Sequence, residues 1–198
     1  MTLGKGEMTE ASLYLVKAVC DLLTIAILLN FFFRLLRVDY YNPIVRGFMT
    51  IIDPPARLAR RIIRPIFNLD ISSLIVSCLT QYLVFSLVSA SGAFAANTTT
   101  IIVWSFYSVL LISLKLLFWV MLAGIIISWI APLSRHPAIS LMNQLSEPVF
   151  RPFRLFLPPM GGLDFSPILA FIVLNFLQIL ARDFALESGL PYGLSIGF

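Results

Sequence analysis

Long apolar runs alternate along the chain with shorter stretches in which charge, proline and aromatic residues are mixed. Four of the runs, at roughly residues 13 to 36, 70 to 91, 101 to 131 and 165 to 186, reach the about 20 apolar residues that a helix needs to cross a bilayer. The first is too long for the 7–15-residue hydrophobic part of a signal peptide and continues into FFFRLLR, so it is expected to be a retained anchor. The stretch AANTTT at 95–100 is short, uncharged and turn-prone, and joins the second and third spans across one membrane face. In the connector after the first span, Arg57, Arg60, Arg61 and Arg64 recur at helical spacing with Leu58, Ile62 and Ile63 on the other side. That pattern predicts an interfacial amphipathic helix within the connector at about residues 43–66. The connector at about 137–160 keeps Arg151 and Arg154 and adds Phe150, Phe153, Leu155, Phe156 and Leu157, which should sink it deeper. Asp53-Pro54 and Glu147-Pro148 each place an acidic residue before a proline, the signature of a helix start, while Pro152 argues against a regular helix beyond it.

Composition fixes the solvent. Hydrophobic residues make up 59% and charged residues 12% of the chain, the mean hydropathy is +0.94, and soluble domains carry about 25% charge. The expected fold is an all-α membrane protein: four transmembrane helices arranged as two parallel helical-hairpin repeats, each with an interfacial amphipathic connector. Residues 1–198 form one membrane domain, with no room for a separate soluble catalytic unit. Cys20 and Cys78 sit in apolar runs without metal-binding or redox spacing and read as small membrane-buried side chains.

The two connectors carry one message. DPPARLARRIIRPIFNLDISS, starting at 53, lies over EPVFRPFRLFLPPMGGLDFSP, starting at 147, without a gap and at an offset of 94 residues. Internal repeats are therefore expected at about 11–91 and 105–185. Each repeat contains two spans and returns to its starting side, so the copies are parallel, with an implied pseudo-twofold axis along the membrane normal. Ten of the fourteen basic residues fall in or beside the two connectors. By the positive-inside rule the connectors are cytoplasmic, and the termini and the AANTTT turn lie outside. Trp104, Tyr107 and Trp129 suit an interfacial belt, while Trp119 is expected to pack within the bilayer.

Candidate chemistry is sparse. His136 stands alone in a loop, and Gly161-Gly162 lacks the lysine and spacing of a phosphate loop. No cofactor or metal is expected, and the chain reads as non-enzymatic. Asp70 and Asp164, with the serines that follow them, cap the next spans. Asp21 and Lys115, both inside spans, stand 94 residues apart. An ion pair between them across the repeats is the favoured reading, with Lys17, one turn before Asp21, as the competing local partner. Gln81 and Asn175, equivalent in the same register, are expected to bond helices together at matched depth.

The doubled pattern of Asn42-Pro43 and His136-Pro137, then Arg57, Arg60, Arg151 and Arg154, then Pro158, Pro159, Gly161, Gly162, Asp164, Phe165, Ser166 and Pro167, resembles the YggT/YlmG family of small integral membrane proteins. The first copy departs from it with IFNLDISS where the second has MGGLDFSP. The resemblance implies no agreed biochemical activity. The twice-stated connector reads either as a plain topology determinant or as the docking surface of an adaptor, assembly or envelope-organising factor; the resemblance implies a place in a bacterial inner membrane and links bacterial members to osmotic tolerance or cell division, with potassium transport as the alternative. The expected partners are an anionic lipid surface, an unidentified membrane protein and a second copy of the chain; nucleic acid is not expected.

Overall fold

A computed structural model describes residues 10–60, 70–130, 136–156 and 164–191, with side chains at 54–60 outside the description. Six helices appear among the described residues: α1 (Glu10–Leu35), α2 (Pro43–Arg60), α3 (Ile71–Ala90), α4 (Thr98–Ile130), α5 (Pro137–Phe156) and α6 (Ser166–Glu187). α1, α3, α4 and α6 are long and apolar enough to span a membrane. α2 and α5 are the connectors, and both lie at the same end of the bundle.

The connector helices start about ten residues earlier than Asp53-Pro54 and Glu147-Pro148 suggest. Asn42 Oδ1 accepts from the Ile44 N–H at 2.9 Å, and His136 Nδ1 accepts from the Ala138 N–H at 3.2 Å. Each is followed by a proline at the first helical position, where the missing N–H costs nothing. The histidine read as standing alone in a loop is thus a helix cap. α5 runs on through Pro148 and Pro152 to Phe156, because one face of it is anchored by buried Leu141, Leu145 and Phe150.

The spans do not close into a twofold bundle. α1 packs on α3, α3 on α4 and α4 on α6, whereas α1 and α6 make no extended contact. A twofold axis would relate the α3/α4 contact to an α6/α1 contact, so its absence makes the interface between repeats head-to-tail. The pseudo-twofold expectation is corrected accordingly. At the connector end, Phe31, Phe32, Phe33, Val38 and Val45 of the first repeat bury Val120, Leu141 and Leu145 of the second. Asn42 Nδ2 donates to the Pro137 carbonyl at 2.7 Å and the Asp39 N–H to Gln144 Oε1 at 2.7 Å, so the two connectors are locked together. Trp104 is buried and donates to the Ser188 carbonyl at 3.0 Å. Trp119 is exposed on α4 inside the candidate span, a position that agrees with a place within the bilayer.

Candidate functional site

Each repeat holds its connector to the following span through two carboxylates and an arginine. In the first repeat, Arg34, in the last turn of α1, reaches Asp53 of α2 at 3.2 Å and Asp70, the cap of α3, at 3.3 Å. Asn30 completes the group: Nδ2 donates to Asp53 at 2.9 Å and Oδ1 accepts from Arg34 Nε at 3.1 Å. Asn30, Asp53 and Asp70 are buried. Two buried carboxylates without a cation would be strongly unfavourable, so the guanidinium determines whether three helix ends can meet here. Asp70 also accepts from the hydroxyl of Ser73 at 2.9 Å.

In the second repeat the equivalents of Asp53 and Asp70 are Glu147 and Asp164, and the arginine comes from another place. Arg154, on α5 itself, donates to Asp164 at 2.8 Å and pairs with Glu147 two turns earlier. Asp164 accepts from the Ser166 N–H at 2.9 Å and from its hydroxyl at 2.5 Å. Burial pushes the Asp164 carboxyl up, but the Ser166 and Arg154 hydrogen bonds outweigh it and hold the group below the usual carboxylate range. Burial likewise works against the Arg154 cation, and its two carboxylate partners outweigh that and raise it.

The position of Arg34 is taken in the second repeat by Ser128, and that of Asn30 by Gly124. Where the first repeat has a cleft of about 400 Å³ into which Arg34 and Arg46 bring two cations beside Asp53, the second has a cleft of about 610 Å³ lined by Gly124, Ser128, Trp129, Glu147, Arg154 and Asp164, with Phe150 and Phe171 among its apolar walls. Two carboxylates against one guanidinium leave it a net negative charge.

A second polar cluster lies inside the membrane. Gln81 Nε2 donates to Asp21 at 3.0 Å and to the Thr24 hydroxyl at 3.1 Å, and Gln81 Oε1 accepts from the Ser108 hydroxyl at 3.1 Å. One amide thus ties α1, α3 and α4 together. The charge partner of Asp21 is Lys17 at 2.8 Å, not Lys115. Because the repeats stand head to tail, residues 94 apart in the chain are not brought face to face, and Lys115 lies about two turns beyond Ser108 along α4. Asn175 also departs from expectation: it is exposed on α6 and donates to the Phe171 carbonyl of its own helix at 2.9 Å. The polar link from α6 is Gln178, which donates to the Leu114 carbonyl at 3.3 Å.

Of the connector surface, Arg151 is exposed on α5 and Arg154 belongs to the clamp. The side chains of Arg57 and Arg60, together with Arg61, Arg64, Pro158, Pro159, Gly161 and Gly162, lie outside the described residues. Sequence reading missed Arg34 and Asn30 as partners of Asp53 and Asp70. The search there rested on residues stated twice, and the clamp arginine is not.

Four spanning helices and two braced interfacial helices define a multi-pass helical membrane protein with a carboxylate-lined cleft at the connector end. The chain belongs to the CCB3/YggT family, which it matches over residues 9–90 and 103–185. It is 33% identical to the uncharacterised protein PA0392 of Pseudomonas aeruginosa, over 96% of this chain and 98% of that one. It is also 33% identical to the uncharacterised protein YggT of Escherichia coli strain K12, over 81% of this chain and 84% of that one. A shorter similarity, 44% over 28% of this chain and 22% of the relative, is to YlmG homolog protein 2, chloroplastic, of Arabidopsis thaliana. No solved structure matches the chain.

Proposed function

We propose that the chain is a non-enzymatic adaptor or assembly factor of the bacterial inner membrane, serving osmotic tolerance or cell division, with its docking face on the cytoplasmic connector side. The observation that carries the reading is the difference between the two clamps. The pair of carboxylates is held by Arg34 from the preceding span in the first repeat and by Arg154 of the connector itself in the second, where the place equivalent to Arg34 is Ser128 on the wall of a cleft. A cleft with net negative charge, an aromatic wall and a serine at the place equivalent to Arg34 fits a basic side chain presented by a membrane partner. The exposed Leu155 and Phe156 beside it extend the same surface for a partner or for lipid. Orientation follows from the ten basic residues at the connectors, which an anionic leaflet attracts by about 1 kcal/mol each.

Two experiments test this. In a strain lacking the chain, the double variant Glu147→Gln, Asp164→Asn should reach the membrane at the normal level and fail to restore growth at high osmolarity. Full restoration would remove the cleft from the function. For orientation, Arg151→Cys in a cysteine-free background should resist an impermeant reagent added to intact cells, and strong labelling would invert the topology. The alternative of potassium transport draws on the Asp21, Gln81 and Ser108 chain inside the spans. Purified protein in liposomes decides against it if no potassium flux above background is seen, and in its favour if there is.

A further inference from the structure

The contact between the repeats carries information about a second copy of the chain. On α3, Leu74, Cys78, Gln81 and Phe85 fall on one stripe of the helix. Gln81 bonds Ser108 of α4, Phe85 stacks edge-on against Trp104 of α4, and Leu74 and Cys78 pack on the cluster containing Val109 and Ile112. Their equivalents on α6, at the 94-residue offset, are Ile168, Ile172, Asn175 and Ile179. All four are exposed, Ile172 at 60% and Ile179 at 50%, whereas Phe85 is at 0%. The other side of the interface is matched. Ser108 and Val109, at 0% and 5%, correspond to Tyr14 and Leu15 of α1, at 74% and 64%. At the connector end buried Leu145 corresponds to Ile51 of α2, which is exposed.

Each molecule therefore uses one half of the joint on α3 and the other half on α4, and leaves the α6 and α1 copies of those halves uncovered at opposite ends. Lipid could cover the isoleucines without cost. It cannot serve Asn175, a mid-span amide facing hydrocarbon, as well as a second helix can. We propose that α6 of one copy docks on α1 of the next, repeating between molecules the α3/α4 joint made within one. Insertion in one membrane gives every copy the same orientation, so α6 meets α1 antiparallel, as α3 meets α4. The contact is heterologous, and it builds a ring if its rotation closes and an open row if it does not.

The test uses the register itself. Native Cys78 and an introduced Val109→Cys, neighbours across the internal joint, calibrate oxidative crosslinking inside one full-length chain. Two differently tagged chains, both with Cys20→Ala and Cys78→Ala, then carry Ile172→Cys and Leu15→Cys separately and are co-expressed. Oxidation of the membranes should yield a disulfide between the two tags. Each variant expressed alone should stay monomeric, and a chain carrying both cysteines should give a ladder. With the internal control formed, monomers only would overturn the proposal, as would crosslinks confined to like-with-like pairs, which mark a twofold contact instead.

Discussion

Arg34 joins the ends of three helices: it leaves α1 and bonds Asp53 of α2 and Asp70 at the start of α3. It is about one-third exposed, yet it neutralises Asp53 and Asp70, both of which are buried. Arg34→Ala should cost about 2–3 kcal/mol, because it removes a cation that two buried carboxylates share rather than deleting one favourable pair. Thermal unfolding in detergent would show the loss, with Arg34→Lys retaining part of the stability. In the second repeat the same chemistry is readable through pH. Asp164 is held below the ordinary value of 3.8, so its contribution is complete above that value and is lost as pH falls through the lower folded value. A spin-label distance between α5 and α6 should hold steady at neutral pH and broaden only in that acid window, and Asp164→Asn should abolish the transition. The carboxylates were legible because they repeat at a fixed offset. Their first partner was not, since position 128 is serine and the doubling that exposed Arg151 and Arg154 gives no signal at position 34.

Among the elements, the four spans were legible from hydropathy alone, because apolar length is what insertion reads. The connector helices were placed correctly in the chain but begun too late. The Asn42-Pro43 and His136-Pro137 dipeptides start them, and a histidine cap is rarer than the serine, threonine, aspartate or asparagine that such a start usually shows. His136→Ala should cost about 1 kcal/mol and fray the first turn of α5, and His136→Asn should restore it, both visible as hydrogen exchange at residues 138–140. The approach of α4 to α5 is tighter than any sequence pattern announces. A Cβ on Gly124 would lie 2.4 Å from the Ser146 hydroxyl oxygen and 2.8 Å from its Cβ. Gly124→Ala should therefore destabilise by about 1–3 kcal/mol, and Ser146→Gly in the same chain should recover part of that loss in a thermal melt.

For the molecule as a whole, tandem repetition was legible and its symmetry was not. A repeat at a fixed offset states that two units share a fold; the relation between them depends on which faces are covered, and in apolar spans nearly every face looks the same in sequence. Gln81 and Asn175 show the limit: equivalent in register, one is buried at the junction of three helices and the other faces outward. The same break in equivalence draws the clamp arginine from the span in one repeat and from the connector in the other, leaving Ser128 on the wall of a cleft, and on that difference the adaptor reading rests. It can be tested by giving the second repeat the arginine of the first. Ser128→Arg should fold and accumulate in the membrane, place a second guanidinium in the cleft beside Glu147 and Asp164, and fail to restore growth at high osmolarity in a strain lacking the chain. Ser128→Ala should restore it fully. If Ser128→Arg complements as well as the unaltered chain, the open cleft is not where this protein works.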